Sequence, residues 1–344
     1  MKKIIFTTYN YCRNHKKIYY VFILHLLLIG CKNKRVDFNK NGIYAAFYDD
    51  KYKKIFVGNG DGDIKAFSYD LKLISKKKIA PSSNKNFNII DMRISNLGNR
   101  LINTSNSGTV YIWNVTNLDS ITLFSKDKLH NSSSLNCGFD HNDRFAVSTG
   151  NDSSIVVRDF DNPNQYKKLS NTFGPIRFVW FSYDSKFLYS CNEKGYIHIT
   201  DTDSWTTTNL KIADCAINCL VCNKTNSTFV CALDNGEIKI VDFKTLKTIQ
   251  TIKGDNGPTY VTEYYDVDRE KISSTGFDGY IRTWKIENGI YVLDKEVLGH
   301  NSPCCTLFYN DLGTELLSGG QDGYIKRWDS KSLKLIKSVN VNGL

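Results

Sequence analysis

Near its end the chain reads Gly319-Gly320-Gln321-Asp322-Gly323-Tyr324-Ile325-Lys326-Arg327-Trp328-Asp329, and this stretch decides the fold. Asp322-Gly323 is hairpin chemistry, because glycine supplies the positive backbone dihedral that a tight turn needs. Side chains then alternate with period two, so Ile325 and the residues in phase with it meet a neighbouring sheet. The unit recurs upstream. The turn positions are Gly62, Gly108, Ser153, Gly195, Gly236, Gly279 and Gly323, in steps of 46, 45, 42, 41, 43 and 44 residues. Two residues after each comes Ile64, Val110, Ile155, Ile197, Ile238, Ile281 or Ile325. Five residues after comes Phe67, Trp113, Arg158, Thr200, Val241, Trp284 or Trp328, and fourteen before comes Tyr48, Ile94, Phe139, Phe181, Cys222, Tyr265 or Tyr309.

A period in the low forties, kept seven times, is the mark of a radial repeat. A four-stranded sheet of this length cannot bury both faces alone, but a ring of like sheets can, and closure leaves only short, protected edges. The sequence therefore predicts an all-β fold, a seven-bladed β-propeller of four-stranded antiparallel blades over residues 36–344. Its innermost strands are expected near 43–48, 89–94, 134–139, 176–181, 217–222, 260–265 and 304–309. The 344 residues, 41% hydrophobic and 13% aromatic, suffice for one large core, and only five prolines interrupt them. No linker composition marks a second domain.

The formal charge of +10 raises the question of an anionic partner. Lys2, Lys3, Arg13, Lys16, Lys17 and Lys32 lie in the leader region, and the other basic residues are scattered among acids. No basic stripe interleaved with stacking aromatics stands out, so nucleic acid is not the expected partner.

The leader, residues 1–31, has a basic stretch (Arg13, Lys16, Lys17) followed by an apolar run over residues 18–29 that His25 interrupts. The span between Lys17 and Lys32 would reach only about 21 Å as a helix, short of a ~30 Å hydrocarbon core, which fits a signal-peptide h-region. Its end, Leu28-Ile29-Gly30-Cys31, resembles a bacterial lipobox. That resemblance implies cleavage before Cys31, lipidation of its thiol, and a membrane-anchored, extracytoplasmic protein. The alternatives are a start codon placed too early or a buried N-terminal strand in a cytoplasmic protein. The ten cysteines, Cys215, Cys219, Cys222, Cys231 and the pair Cys304-Cys305 among them, show no disulfide framework and favour the cytoplasmic alternative.

The repeats resemble those of the WD-repeat family. Blade seven matches the family pattern in full, with Gly299-His300, Ser318, Asp322-Gly323 and Trp328-Asp329. The resemblance implies a hydrogen-bonded structural tetrad of His300, Ser318, Asp322 and Trp328. Blade six keeps Ser274, Asp278 and Trp284 but has Gly254-Asp255 in place of Gly-His, and blade three is read as keeping only Ser148 and Asp152. His130 and His141 read as solvated loop residues.

Little in the sequence points to catalysis. The close-spaced cysteines invite a zinc reading, but Cys222 stands where other repeats have Phe139 or Tyr265, and Cys231 where they have Ser148 or Ser318. Both then act as small buried hydrophobes, and neither a metal nor any other cofactor is expected. Gly58-Asn59-Gly60-Asp61-Gly62 lies between strands with no helix to hold an anion, so it is not a phosphate loop. One binding face suggests itself. Tyr196, Tyr280 and Tyr324 follow the turn glycines of blades four, six and seven, with Arg282 and Lys326 two residues beyond, and Tyr and Arg are typical interface anchors.

Two functions follow. The first is a non-catalytic scaffold that binds protein partners, tethered to a membrane through Cys31 if the leader is processed. The alternative is a propeller enzyme that uses its central channel, with acidic residues or His198 as acid and base. The innermost segments read as almost wholly apolar, which favours the scaffold. For closure, blade seven is expected to be built entirely from the C-terminal end, because only residues 36–38 remain as a strand to lend.

Overall fold

The seven turn positions adopt the conformation the repeat demands. In the computed structural model Gly62, Gly108, Gly195, Gly236, Gly279 and Gly323 have φ of 72–86°, and Ser153, which replaces glycine in the third repeat, is held at 60°. A Cβ on Gly195 would run into the Ala213 carbonyl, so that turn tolerates glycine alone. The structure describes residues 42–344 apart from 51–52, 80–86, 118–119, 163–164, 171–172, 224–226 and 265–270.

Among the described residues there are 28 strands, β1 to β28 in chain order, and no helix. They form seven four-stranded antiparallel sheets, each made of four consecutive strands. The innermost strands are β1 (Ile43–Asp49), β5 (Ile89–Ile94), β9 (Ser134–Phe139), β13 (Ile176–Phe181), β17 (Ile217–Cys222), β21 (Thr259–Tyr264) and β25 (Cys304–Tyr309). The sixth begins one residue before the position expected. Each innermost strand packs against those of the two flanking blades, and β1 meets β25, which closes the ring. The β-branched residues two positions after the turns carry the packing between blades. Ile64, Val110, Ile155, Ile197, Ile238, Ile281 and Ile325 are all at most 2% exposed, and burial of such a side chain stabilises by about 1.5–3 kcal/mol.

Every innermost strand has a register shift near its start, between Ile43 and Ala45, Ile89 and Met92, Ile176 and Phe178, Ile217 and Cys219, Thr259 and Val261, and Cys304 and Thr306. In β9 the partners jump from Asn136 to Ser134. A bulge leaves one residue unpaired and re-aims it. In this ring the skipped residues are Tyr44, Ile90-Asp91, Leu135, Arg177, Asn218, Tyr260 and Cys305, and all of them line the central channel.

Blade seven comprises β25, β26 (Glu315–Gly320), β27 (Tyr324–Asp329) and β28 (Leu335–Asn340), so the C-terminal end supplies its outer strand as expected. Residues 36–38, the other possible donor, lie outside the described residues. Closure rests on packing, as expected, and on hydrogen bonds between blades one and seven. Thr306 Oγ1 donates to the Ala46 carbonyl at 3.1 Å and Tyr48 Oη to Glu315 Oε2 at 3.2 Å. The buried Lys65 ammonium donates to the Val341 carbonyl at 2.5 Å. The outermost strands are β4 (Leu73–Lys78), β8 (Ser120–Lys128), β12 (Tyr166–Leu169), β16 (Thr207–Lys211), β20 (Thr248–Lys253), β24 (Ile290–Leu298) and β28, and each carries lysine. Charge on an open edge discourages pairing with another chain.

Candidate functional site

His300, Ser318, Asp322 and Trp328 are brought together from two strands, the turn between them and the loop before the blade. His300 Nδ1 lies 3.0 Å from Asp322 Oδ1, His300 Nε2 lies 2.8 Å from Ser318 Oγ, and Trp328 Nε1 donates to Ser318 Oγ at 2.9 Å. His300 is 1% exposed. Burial pushes its imidazole down, but the adjacent Cys304 sulfur and Asp322 carboxylate outweigh this and raise the pKa to about 9. The network ties the loop before blade seven to the turn at Asp322. The main chain reinforces the link, because the Gly279 carbonyl accepts the N–H groups of Gly299 and His300, both at 3.0 Å. Hairpin turns and Gly-His loops therefore share one rim.

His130 corrects the sequence reading. It is not a solvated loop residue but fully buried, and it completes in blade three the same relay to Asp152 (3.0 Å) and Ser148 (2.9 Å). Leu129 stands where the pattern has glycine, which hid the match, and Arg158 replaces the tryptophan. Burial lowers the His130 pKa, against the pull of Asp152, and Lys168, 3.5 Å from Asp152, adds to the lowering. Blade two carries another remnant, with Trp113 Nε1 donating to Asn103 Oδ1 at 2.7 Å.

In blade six Trp284 still donates to Ser274 at 3.0 Å, but Asp255 occupies the histidine's place beside Asp278. Arg282 supplies the missing donor, with bonds to Asp278 at 2.7 and 3.2 Å and to the Gly254 carbonyl at 3.0 Å. Burial pushes the Asp255 carboxyl up, and the Asp278 charge adds to this, to about 7. Burial also works to raise Asp278, but the Arg282 hydrogen bonds outweigh it and hold Asp278 below the usual range.

The rim residues singled out in the sequence divide into two groups. Tyr324 is 37% exposed, and half-buried Tyr196 stacks on Phe173, ring centroids 5.1 Å apart, where Phe173 is 58% exposed. Phe173 has φ of 54°, a left-handed conformation unusual for a bulky residue, so the backbone there is strained in presenting the ring. Tyr280 is half-buried over the Arg282 guanidinium. The two cations are corrected. Arg282 is only 7% exposed and committed to Asp278, and Lys326 donates to the Gly299 carbonyl at 2.6 Å. Both fasten the rim from within. Phe173 was missed because it lies outside the repeat register, and its sequence signal is an aromatic directly before Gly174-Pro175.

The central channel also differs from expectation. His198 does not reach it. It lies in the third strand of blade four, fully buried, with Nδ1 2.6 Å from Asn209 Oδ1. The channel wall is not wholly apolar, because the bulges aim Arg177 and Asn218 inward, and Asp91, Arg93 and Glu263 join them. Arg93 bonds Asp91 at 2.6 Å and lies over the Phe308 ring, while Asp91 takes the Asn136 amide at 2.6 Å. Arg177 bonds Asn218, and its guanidinium lies 3.5 Å from Asp234. The Asp91–Asn136 and Arg177–Asn218 pairs stitch neighbouring blades together. The cavity on the axis holds about 150 Å³, below the roughly 300–1,000 Å³ of typical small-molecule sites. A cavity of about 700 Å³ is an open groove between blades three and four, where Arg144 and Asp159 pair at 3.0 Å.

Cys219, Cys222 and Cys231 belong to the hydrophobic core of blades four to six, and burial pushes the Cys219 and Cys222 thiols up to about 12. Among the described residues no three His, Cys, Asp or Glu side chains converge as metal ligands.

Seven four-stranded blades, the seventh with a complete His-Ser-Asp-Trp tetrad, make this chain a WD-repeat β-propeller. The family model for the WD domain, G-beta repeat, matches residues 292–329, from the outer strand of blade six to the tryptophan strand of blade seven. The chain is 29% identical over 118 residues to the probable coatomer subunit beta' of Schizosaccharomyces pombe, covering 34% of this chain and 15% of that protein. It is 24% identical over 233 residues to the CCR4-associated factor 4 homolog of Candida glabrata, covering 63% and 38%. A shorter match, 36% over 66 residues, joins it to the ribosome biogenesis protein WDR12 homolog of Nematostella vectensis, covering 19% and 15%. The chain thus spans well under half the length of these relatives.

Proposed function

We propose that this propeller is a non-catalytic scaffold that binds protein partners on the rim where the hairpin turns and Gly-His loops meet. The observation that carries the proposal is Phe173, held in a strained backbone conformation, largely exposed, and backed by Tyr196. A rigid aromatic that gains nothing from burial in the free protein gains it from a partner. Around it the titratable groups of the rim are engaged with one another. His300, His130, Asp322 and Arg282 all have internal partners, which supports recognition over acid-base chemistry.

One relative is by its name a coatomer subunit and another a ribosome biogenesis protein, and the reading for this chain rests on that kinship and on the rim. We further propose that the leader is processed and that acylated Cys31 tethers the propeller outside the cytoplasm. The basic-then-apolar run ending in Leu28-Ile29-Gly30-Cys31 supports this. A photo-crosslinking residue at Phe173 or Tyr324 in the producing cell should trap a discrete partner, and Phe173→Ala with Tyr196→Ala should weaken that partner's binding at least tenfold in an unchanged fold. Equal trapping from positions on the outer wall would sink the rim assignment. Mass spectrometry of the mature N-terminus tests the tether, and an unmodified Met1 would end it.

A further inference from the structure

Two outer strands differ from the other five in what they expose. In blade one, β4 and its approach read Lys72-Leu73-Ile74-Ser75-Lys76-Lys77-Lys78. In blade seven, β28 and its approach read Lys334-Leu335-Ile336-Lys337-Ser338. Each sets a pair of exposed aliphatic residues beside lysines and contains no acid. Leu73 and Ile74 are 38% and 40% exposed, Leu335 and Ile336 51% and 46%. Lys77, Lys78, Lys334 and Lys337 are exposed and, among the described residues, make no side-chain hydrogen bond or ion pair.

The ring brings the two strands together. Blades one and seven are the pair that closes it, and Lys76 Nζ donates to the Leu344 carbonyl at 2.8 Å, so the end of blade seven lies against β4. Charged edges alone need only lysine to prevent strand pairing. Exposed leucine and isoleucine on both edges work against that purpose. Lysines flanking aliphatic side chains are instead the chemistry of a surface that settles into an interface, apolar groups among the acyl chains and ammonium groups at anionic headgroups.

We infer that the joined outer edges of blades one and seven form a docking surface for an anionic lipid bilayer. The inference rests on the tethered reading for its choice of occupant. Cys31 precedes Gly42, at the threshold of blade one, by eleven residues, a reach of at most about 40 Å. A tether at Cys31 joined to the start of blade one therefore keeps the propeller within that distance of the membrane, and it raises the effective concentration of a patch too weak to bind alone. Docked in this way the propeller stands on its wall and leaves the rim at Phe173, in blade four, free for a partner.

The test uses the full-length chain carrying Cys31→Ser, so that no acyl chain contributes, sedimented with vesicles of phosphatidylcholine alone or mixed with phosphatidylglycerol. Binding should require phosphatidylglycerol and weaken as salt rises. Lys77→Glu, Lys78→Glu, Lys334→Glu and Lys337→Glu together should lower the partition coefficient by at least about thirtyfold. The control Lys247→Glu with Lys253→Glu, at the edge of blade five, should change it less than threefold, a margin set by long-range charge alone. Circular dichroism and melting of each variant confirm the fold. The inference is overturned if the vesicles bind without preference for phosphatidylglycerol, or if both sets of substitutions act alike. It is also overturned if the edge binds a single-stranded RNA and not the vesicles. Failure of the tether, read from the N-terminal mass, is a separate result, since the two sets of lysine substitutions are compared in the same Cys31→Ser chain and whatever its leader contributes is common to both.

Discussion

Asp255 Oδ2 accepts the backbone N–H of Asp278 at 3.4 Å, which sets two carboxyl groups together in blade six where blade seven pairs His300 with Asp322. Asp255 is 3% exposed. Arg282 lies against Asp278 from β23 (Tyr280–Glu287) and is shared with Glu296 from β24, and Tyr260 of β21 is near enough to feel the Asp255 charge. Arg282 lies nearer Asp278 and keeps it ionised, so the proton stays on Asp255, which can then donate to its neighbour.

The pH dependence follows from that arrangement. The folded pKa of Asp255, about 7, lies above the ordinary 3.8. The folded chain holds a proton the unfolded chain has lost between those values, so this group's contribution falls as pH rises from about 4 to about 7 and is flat beyond. Asp255→Asn keeps a donor toward Asp278 at every pH. Its stability relative to wild type should therefore grow from pH 5 to pH 8 by about 1–2 kcal/mol. Parallel urea curves across that range would show that Asp255 is already ionised.

His130 and His300 have like burial and like partners, so removal of either takes a partner from a buried serine and from a half-buried aspartate. Each of His130→Ala and His300→Ala should cost about 1–3 kcal/mol. This follows from the correction of His130 from a solvated loop residue to a buried member of the relay. A thermal shift for His300→Ala with none for His130→Ala would show that the blade-three relay contributes nothing.

Removal of residues 341–344 takes away fully buried Val341 and the carbonyl that receives the Lys65 ammonium. The truncated chain keeps β28 whole, yet it should lose about 2–4 kcal/mol, from a lost valine and an unpartnered buried cation. Lys65→Met in the truncated chain should recover part of this loss. Without recovery, Lys65 finds water in the truncated ring.

Arg282 and Tyr324 separate structure from recognition on the rim. Arg282→Ala leaves Asp255 and Asp278 without their cation and should destabilise by about 3 kcal/mol. Tyr324→Ala removes an exposed ring and should shift stability by less than about 0.5 kcal/mol. Any effect of Tyr324→Ala on a partner is then a contact effect.

The sequence by itself determined the ring. Seven hairpin turns in one register, with a β-branched residue two positions after each, require sheets that bury both faces, and both properties are local enough to read along the chain. It also placed His300, Ser318, Asp322 and Trp328, because blade seven matches the pattern without a substitution. Only the tertiary structure decided what substituted positions do. Leu129 in place of glycine masked a complete relay at His130, since the relay depends on where the imidazole lands and not on the residue before it. The bulge that turns Arg177 and Asn218 into the channel left no mark in a segment that reads as apolar, because a bulge belongs to the pairing of two strands. Arg282 looked like a rim anchor and proved to be a buried counter-ion, because its role was created by Asp255, 27 residues away in sequence and adjacent only once the blade is folded.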